Sequence, residues 1–507
     1  MREQREQRVD LLDDNAKAVK SVMNAVESTI GPKGLDTMLV DPFGNVVITN
    51  DGVTILNMME TTHPIAKMLV HSINAQQEDV GDGTTTTALM AGEMIQHGLE
   101  QIKKGVPVAQ ILTGLRYGVK EAGQLMEKEA IQIGSMDTGQ LFNIAYIAGR
   151  EDESIANLIM EGANLIGQDK LLNSQFQFSQ RIRAVEGAES EVIAGVVISK
   201  DRQTKQMPLE LHGELSVLIV DDALEQEEIN PQAMATESGF RQYMAIKEEF
   251  TANIQKLIKA GVNAVFIDQG VDDQAVEMLE EADILVVSGV PHQELVSLAE
   301  YSGARMIKRT GIQKNENDLK HMFGTVTEII GNEKLSHIKV LGGGGKQMAT
   351  ILVGAATGEV VGEKERIAKD AASSLQTALQ KGLVAGGGAA ELAVAQALEQ
   401  NKNRLSGMAV FGADCVIAAL KKPFIQMITN AGYNPLEKLG DVYKAQQLEN
   451  NHHLSVDCDT GRIQDLYIAG IVDPLYVKLH GLKTAGEIAE AILRINIIVK
   501  KKEIQSM

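Results

Sequence analysis

The chain has 507 residues, which corresponds to roughly three domains at about 150 residues each. Apolar residues make up 44% and charged residues 23%, as in ordinary folded proteins. A net charge of -20, an aromatic content of 4% and the absence of tryptophan argue against nucleic-acid binding, because an acidic surface repels phosphates and base stacking needs aromatic rings.

The first quarter of the chain is predicted to be helical with one small hairpin. Apolar residues recur at helical spacing from Val9 to Ile30, and Gly31-Pro32 ends that helix. Residues 38–40 and 46–48 are predicted to be strands, because they flank the turn-forming sequence Asp41-Pro-Phe-Gly-Asn45. Asn50-Asp51-Gly52 is a second turn, and helical periodicity then continues to about residue 130.

After about residue 190 the pattern changes to short apolar runs that alternate with helical segments, which favours an α/β layer domain. The strands are predicted at Leu215–Val220, Val262–Ile267 and Ile284–Val287, and the helices at Ala252–Ala260, Asp272–Ala282 and Gln293–Tyr301. A long, charged insertion, Ala223 to Phe250, interrupts this alternation. Helices return from Gly362, so we expect the two ends of the chain to form one domain into which the middle is inserted.

The chain is expected to be a cytoplasmic protein that does not span a membrane. Its two cysteines, Cys415 and Cys458, indicate reduced thiols in an intracellular compartment. No apolar run reaches the about 18 residues of a transmembrane helix. The charged first eight residues do not resemble a signal peptide.

The strongest local motif is Gly81-Asp-Gly-Thr-Thr-Thr-Thr87, directly before a helical run. Glycines let a ligand approach the backbone, and a helix N-terminus attracts anions such as phosphate. Asp82 is a candidate Mg²⁺ ligand, because this hard cation binds carboxylate oxygen beside phosphate. Taken alone, the motif is equally compatible with a polar turn that caps a helix.

Other candidate segments are ambiguous in isolation. Thr29-Ile-Gly-Pro-Lys-Gly34 is compatible with an ordinary helix end, and Val384-Ala-Gly-Gly-Gly-Ala389 with a connection between helices. Asp370 lies at the border of an apolar helix face, where a carboxylate is either functional or simply solvated. The sequence contains no Walker P-loop, no dinucleotide-binding glycine motif and no G-x-S-x-G elbow. The polar residues from His452 to Asp459 match no standard zinc spacing.

Considered together and in order, five segments resemble those of a chaperonin subunit: Thr29–Gly34, Ile48–Leu56, Gly81–Thr86, Val384–Ala389 and Gly470–Pro474. The resemblance implies a multidomain α and α/β fold with a helical equatorial ATPase domain, a small intermediate domain and an inserted α/β apical domain. The implied boundaries are 1–134 and 383–507 for the equatorial domain, 135–188 and 348–382 for the intermediate domain, and 189–347 for the apical domain. A helical protrusion at about 223–250 would form a built-in lid.

The resemblance also implies the roles of the site residues. Asp51 and Asp370 would orient and deprotonate the attacking water, and Asp82 would hold Mg²⁺. The residues implied to contact ATP are Thr29, Ile30, Gly31, Pro32, Asn50, Gly83, Thr84, Thr85, Thr86, Gly387 and Asp473. Asp457 stands where many relatives have asparagine and is placed near the base. Arg150 replaces a lysine that senses the γ-phosphate in lid-containing relatives.

The segments carry a mixture of class features. Asn50 and the sequence after it resemble the archaeal and eukaryotic class, which has a built-in lid. Val384–Gly388 and Ile471–Pro474 are closer to the bacterial class. The mixture is most similar to the divergent bacterial chaperonins called group III.

The resemblance implies an ATP-driven folding chamber for non-native client proteins, with Mg²⁺ as cofactor and K⁺ as a further candidate. It would be built of stacked homo-oligomeric rings of about eight subunits, with no separate lid protein, nucleic acid or membrane as partner. An alternative is a nucleotide-regulated holdase that binds clients without enclosing them. A metabolic kinase is disfavoured, because no constellation for a second substrate is present.

Overall fold

A computed structural model of the protein describes residues 2–44, 46–134, 136, 139–226, 236–495 and 497. The chain divides into two compact units. The first, here called the terminal unit, comprises Met1–Asn157, Leu171–Ser179 and Lys369–Met507, and the second, the central unit, comprises Leu158–Lys170 and Gln180–Ala368. Both chain ends thus belong to one unit. Residues expected in an intermediate domain are shared between the two units, and the three-domain division stays a prediction.

The terminal unit is mainly helical. Its helices are α1 (Arg2–Val26), α2 (Gly52–Met58), α3 (Pro64–Val80), α4 (Thr84–Lys103), α5 (Val108–Lys128), α6 (Gly139–Ala148), α14 (Ala389–Asn401), α15 (Val410–Asn430), α16 (Pro435–Glu449) and α17 (Leu475–Leu493). Three antiparallel strand pairs accompany them: β1 (Thr37–Val40) with β2 (Val46–Thr49), β12 (Leu383–Ala385) with β15 (Val472–Pro474), and β13 (Leu454–Val456) with β14 (Ile463–Asp465). The predicted hairpin at 38–48 is confirmed.

Helix α4 lies at the centre of the terminal unit and packs against α1, α3, α5, α15 and α17. Thirteen of its twenty residues are buried, and Ala88, Leu89, Met94 and Ile95 are fully buried. A helix buried on most of its faces is held in place by the core around it. Since α4 begins directly after Gly83, this packing holds the Gly81–Thr87 segment in a fixed position.

The central unit is an α/β layer structure, as the alternating pattern predicts. A six-stranded sheet has the order β5-β10-β9-β6-β7-β8, formed by β5 (Gly195–Ile198), β6 (Glu210–Val220), β7 (Ala264–Ile267), β8 (Leu285–Val287), β9 (Gly324–Asn332) and β10 (His337–Leu341). Strands β6, β7 and β8 are parallel to one another, and the segments 217–220, 264–267 and 285–287 are buried along their whole length. A smaller sheet has the order β3-β11-β4, with β3 (Ile182–Glu186), β4 (Glu191–Ile193) and β11 (Thr350–Ala355).

The helices of the central unit connect and cover these strands. They are α8 (Gln168–Leu172) at its border, α9 (Glu237–Ala260), α10 (Asp273–Glu281), α11 (His292–Ser302) and α12 (Glu316–Lys320). Helices α7 (Glu153–Ile166) and α13 (Gly358–Lys381) each begin in one unit and end in the other. In the described part of the chain, no helix is long and apolar enough to cross a membrane.

The sequence interpretation separated an insertion at 223–250 from a helix at 252–260, and this separation is wrong. Helix α9 runs without interruption from Glu237 to Ala260, because no proline or glycine occurs after its first turn. The Thr236 hydroxyl accepts a hydrogen bond from the Gly239 amide and caps the helix start. Residues 227–235 of the insertion lie outside the described residues.

Candidate functional site

The Gly81–Thr87 segment forms a tight turn at the N-terminus of α4. Gly83 occupies the N-cap position in the left-handed conformation, with φ of 79°, and has no side chain that could cap the helix. The Thr87 hydroxyl donates to the Gly83 carbonyl at 2.9 Å and holds the turn closed. The positive end of the helix dipole therefore meets this turn at its glycine, an arrangement suited to an anion.

Asp82 is the acidic group of this turn. Its carboxylate accepts hydrogen bonds from the Gly83 amide at 2.5 Å and from the Ser374 hydroxyl of α13 at 2.9 Å. Burial raises the pKa of the Asp82 carboxyl above its ordinary value, and these two hydrogen bonds oppose the rise only partly. Among described residues no group of three or more His, Cys, Asp and Glu side chains could hold a metal ion. A single buried carboxylate still fits Mg²⁺, which takes one or two carboxylates together with phosphate oxygens and water.

Asp51 is packed against the same turn. It is 8% exposed and is the N-cap of α2, where it accepts hydrogen bonds from the Thr54 amide at 2.8 Å and the Thr54 hydroxyl at 2.6 Å. The next residue, Gly52, lies so close to the Thr85 hydroxyl that a β-carbon at this position would collide with it. The Asn50-Asp51-Gly52 turn therefore touches the threonine run through a contact that only glycine permits.

Asp370 lies on α13, the helix whose Ser373 and Ser374 contact the turn. It is half-buried, and it precedes Ser373 and Ser374 by three and four residues. Such residues share one face of a helix. Since Ser374 donates to Asp82 and Ser373 lies beside Gly81, that face is turned towards the Gly81–Asp82 segment. The structure thus brings both predicted catalytic carboxylates to the neighbourhood of Asp82.

One pocket of the terminal unit joins four predicted site residues to residues that the sequence interpretation missed. Asp82, Gly83, Thr86 and Asp473 line it together with Lys478. Thr87, Met90, Pro474, Val477 and Gly481 complete the lining. The other predicted residues do not line this pocket: Thr29, Ile30, Gly31, Pro32, Asn50, Asp51, Thr84, Thr85, Arg150, Asp370, Gly387 and Asp457.

Lys478 is the main residue missed. Its side chain is 14% exposed, and its ammonium lies 2.6 Å from the Glu391 carboxylate and 2.8 Å from the Asp473 carboxylate. Burial alone would lower the pKa of Lys478, but the two carboxylates outweigh it and raise the pKa above its ordinary value. Glu391 itself is 2% exposed. A sequence signal existed, because Glu391 is the single charge in the apolar run Ala389–Ala395.

Gly387 and Asp457 belong to one connected region beside Asp473. Strand β12 pairs with β15, so that Val384 lies opposite Asp473 and the glycine turn follows directly. The Ser455 hydroxyl donates to the Gly387 carbonyl at 3.0 Å and connects the glycine turn to β13. Asp457 follows this strand, and its carboxylate accepts from the Asp459 amide and the Thr460 hydroxyl. These hydrogen bonds lower the pKa of the Asp457 carboxyl.

The Thr29–Pro32 segment is joined to the Asp457 turn by an ion pair. The Lys33 ammonium lies 2.5 Å from the Asp459 carboxylate. The preceding backbone is fixed by Asn430, whose amide donates to the carbonyls of Glu27 and Ile30 at 3.0 and 2.9 Å. Gly31 and Pro32 are exposed, whereas Thr29 and Ile30 are half-buried. This segment and Gly387 thus lie along one continuous set of contacts.

Arg150 lies in the turn between α6 and α7. It is exposed, and both Arg150 and Glu151 have positive φ angles, 56° and 61°. Side chains rarely adopt this conformation, and such strain is concentrated at functional turns. The Glu151 carboxylate interacts electrostatically with Lys33, which brings the turn near the Thr29–Gly34 segment.

Comparison with known proteins identifies the fold and the family. The model of the TCP-1/cpn60 chaperonin family matches residues 22–503. The chain belongs to this family. It is 32% identical over 97% of its length to thermosome subunit beta of Archaeoglobus fulgidus, covering 92% of that protein. It is 30% identical over 99% of its length to thermosome subunit alpha of Thermoplasma acidophilum, covering 93% of that protein.

The structural comparison agrees with the family. A crystal structure of a group III chaperonin in the open state is similar with a TM-score of 0.87 and 42% sequence identity, over 97% of this chain and 100% of the other. The fold and the built-in-lid kind of chaperonin expected from the motifs are confirmed. The chain is an ATP-dependent chaperonin subunit, an ATPase whose hydrolysis serves protein folding.

Proposed function

We propose that this chaperonin subunit binds Mg-ATP in the pocket lined by Asp82, Gly83, Thr86, Asp473 and Lys478. The observation that carries the proposal is the buried Asp82 carboxylate at the positive end of α4, where glycine is the N-cap residue. Asp82 would hold the metal, and the amides and hydroxyls of Thr84, Thr85 and Thr86 would bind phosphate. Bound Mg²⁺ would neutralise the charge that develops on the phosphate oxygens.

The charges around the pocket support a divalent cation. Asp82, Asp473 and Glu391 are acidic, whereas Lys478 is the basic residue among them. With all four groups ionised, this set carries two uncompensated negative charges. A divalent cation balances them and turns a site that repels a polyanion into one that binds it. K⁺ is a further candidate cofactor.

Asp51 and Asp370 are proposed as the catalytic pair. Both lie beside the turn that holds Asp82, Asp51 through the Gly52–Thr85 contact and Asp370 through the serines that follow it. Their carboxylates would orient the attacking water and accept its proton. Arg150 would bind the γ-phosphate, since a guanidinium donates two parallel hydrogen bonds to phosphate oxygens.

The nucleoside is proposed to lie along the remaining contacts. Asp473 would accept hydrogen bonds from the ribose hydroxyls, with Gly387 beside the sugar. Asn50 and the segment Thr29–Pro32 would line the nucleotide, and Asp457 would face the base. The ion pair of Lys33 with Asp459 supports this placement, because it holds the segment Thr29–Pro32 beside the turn that contains Asp457.

Ring formation is supported by the hairpin of β1 and β2. Apolar side chains stand exposed on both strands and on their turn, with exposed fractions of 52–92% for Met38, Val40, Phe43, Val46 and Ile48. A two-stranded sheet with unpaired edges and apolar side chains is an association surface. We propose that it joins identical subunits, in stacked rings of about eight.

The first half of α9 is proposed as part of the built-in lid, with no separate lid protein. Phe240 and Met244 are 54% and 40% exposed, and they lie one helical turn apart on the same face. Closing such surfaces together around a ring would bury them over an enclosed client. We place this cytoplasmic folding chamber in the divergent bacterial group, on the mixed motifs of the chain.

Electron microscopy of the purified protein tests the proposal directly. Images with Mg²⁺ and a transition-state mimic of ATP should show closed double rings, and images without nucleotide should show open ones. Client protection from protease should follow the closed state. Rings that bind clients and never close would instead establish the holdase activity.

A further inference from the structure

Lys478 is buried between two carboxylates that come from different parts of the chain. Glu391 belongs to the first turn of α14, and Asp473 to strand β15, which leads directly into α17 and Lys478. The ammonium lies 2.6 Å from one and 2.8 Å from the other. A buried ion pair is stable only when its charges are mutually compensated. Glu391 therefore fixes where the Lys478 ammonium lies.

The ion pair with Lys478 constrains the side chain of Asp473. This residue is half-buried and lines the pocket with Lys478, whereas Glu391 does not line it. Glu391 thus binds Lys478 in the protein interior, and Asp473 binds it at the pocket where the nucleotide is proposed to lie. An ammonium at 2.8 Å restricts the rotation of the Asp473 carboxylate. It leaves the carboxylate with lone pairs for a second set of donors.

We propose that Lys478, anchored by Glu391, is a positioning residue that sets the Asp473 carboxylate to accept hydrogen bonds from the ribose hydroxyls of ATP. The inference rests on the proposed role of Asp473. Lys478 acts through Asp473, and its removal lowers the affinity for a nucleotide only to the extent that the sugar hydroxyls contribute to binding.

The test compares equilibrium binding of Mg-ATP and Mg-2′,3′-dideoxy-ATP to the assembled protein. The unmodified protein should prefer ATP by about tenfold or more, since a hydrogen bond to a charged group contributes about 1.5–3 kcal/mol. Lys478→Met should bring the two affinities to within about twofold of each other, mainly by weakening ATP. Lys483→Met is the matched control, because this lysine lies on the same helix and is 71% exposed. It should keep the preference.

A second variant guards against misfolding, because Lys478→Met leaves Glu391 buried and uncompensated. Lys478→Met combined with Glu391→Gln removes both charges and should lose the preference equally. Retention of the tenfold preference in this double variant would overturn the positioning role, and so would an equal loss of affinity for both nucleotides. Asp473→Ala distinguishes the ribose contact of Asp473 from the positioning role of Lys478. If this variant still prefers ATP, the proposed ribose contact is wrong and the positioning role fails with it. If it loses the preference while the lysine variants keep it, only the positioning role of Lys478 is wrong.

Discussion

The N-terminal halves of two long helices, α4 and α9, differ in how they are capped and in which groups they expose. The start of α4 has glycine at its cap and lies in a polar pocket, while its apolar side chains fill the core of the terminal unit. The start of α9 is capped by the Thr236 hydroxyl and carries exposed Phe240 and Met244. One helix offers backbone polarity to a ligand, and the other offers apolar side chains to a partner. Replacing individual side chains near the start of α4 or on α9 tests whether the first region binds a ligand and the second binds a partner.

The largest effect is expected at Asp370, beside the turn that begins α4. Asp370→Ala should slow ATP turnover by roughly 10²–10⁴-fold, because the water loses its general base, and ATP affinity should change only a few-fold. Single-turnover hydrolysis beside equilibrium binding measures both quantities. Glu363→Ala, earlier on the same helix, is the control. Normal turnover in Asp370→Ala would refute the assignment.

A smaller effect is expected at Asp82, and it should appear in binding. Asp82→Ala should weaken Mg-ATP by about 10- to 100-fold, because a charged ligand of the cation is lost. A titration of Mg²⁺ at constant ATP separates loss of metal from loss of nucleotide. Glu100→Ala, which changes an exposed residue near the C-terminal end of the same helix, should leave the titration unchanged. Unaltered Mg²⁺ dependence in Asp82→Ala would contradict a metal site at this turn.

At α9 the expected change is in enclosure, with hydrolysis preserved. Replacing Phe240 and Met244 by serine should keep the ATPase rate within about twofold and remove protease protection of a bound client, because closure loses apolar burial of about 1.5–3 kcal/mol per large side chain. The matched control replaces the exposed neighbours Arg241 and Ala245 by serine. If the apolar variant still protects clients fully, the built-in lid does not depend on this face.

The smallest expected effect is on stability, and it distinguishes two roles of Asp51. As the N-cap of α2 it stabilises the fold, so Asp51→Ala should lower the free energy of unfolding by about 0.5–2 kcal/mol. Asp51→Asn keeps the cap, since asparagine caps as well as aspartate, but it should slow hydrolysis as strongly as Asp370→Ala. Thermal unfolding and turnover assays distinguish the two variants. Equal turnover in Asp51→Asn and the unmodified protein would leave Asp51 with its structural role alone.

Local sequence patterns predicted much of the secondary structure of this protein. Helical periodicity, the Asp41–Asn45 turn and the buried apolar runs predicted α1, the β1–β2 hairpin and the parallel strands of the central unit, because each depends on residues close together in the chain. The order of five short motifs indicated the family, which the comparisons confirm. The resemblance then assigned Asp51, Asp82 and Asp370 to one site, which stays a prediction. These features depend on neighbouring residues, which a sequence displays directly.

Tertiary structure decided the rest. Lys478 and Glu391 are separated by 87 positions, and nothing in the spacing of two ordinary charged residues shows that they meet. The pairing of β12 with β15 and the packing of both helices on α5 bring α14 and α17 together, and burial then makes their charges interdependent. The continuity of α9 across residue 250 was likewise hidden, because its exposed first half and its buried second half have different patterns. Burial is a property of the whole fold, and the chemistry of a charged or apolar side chain depends on it.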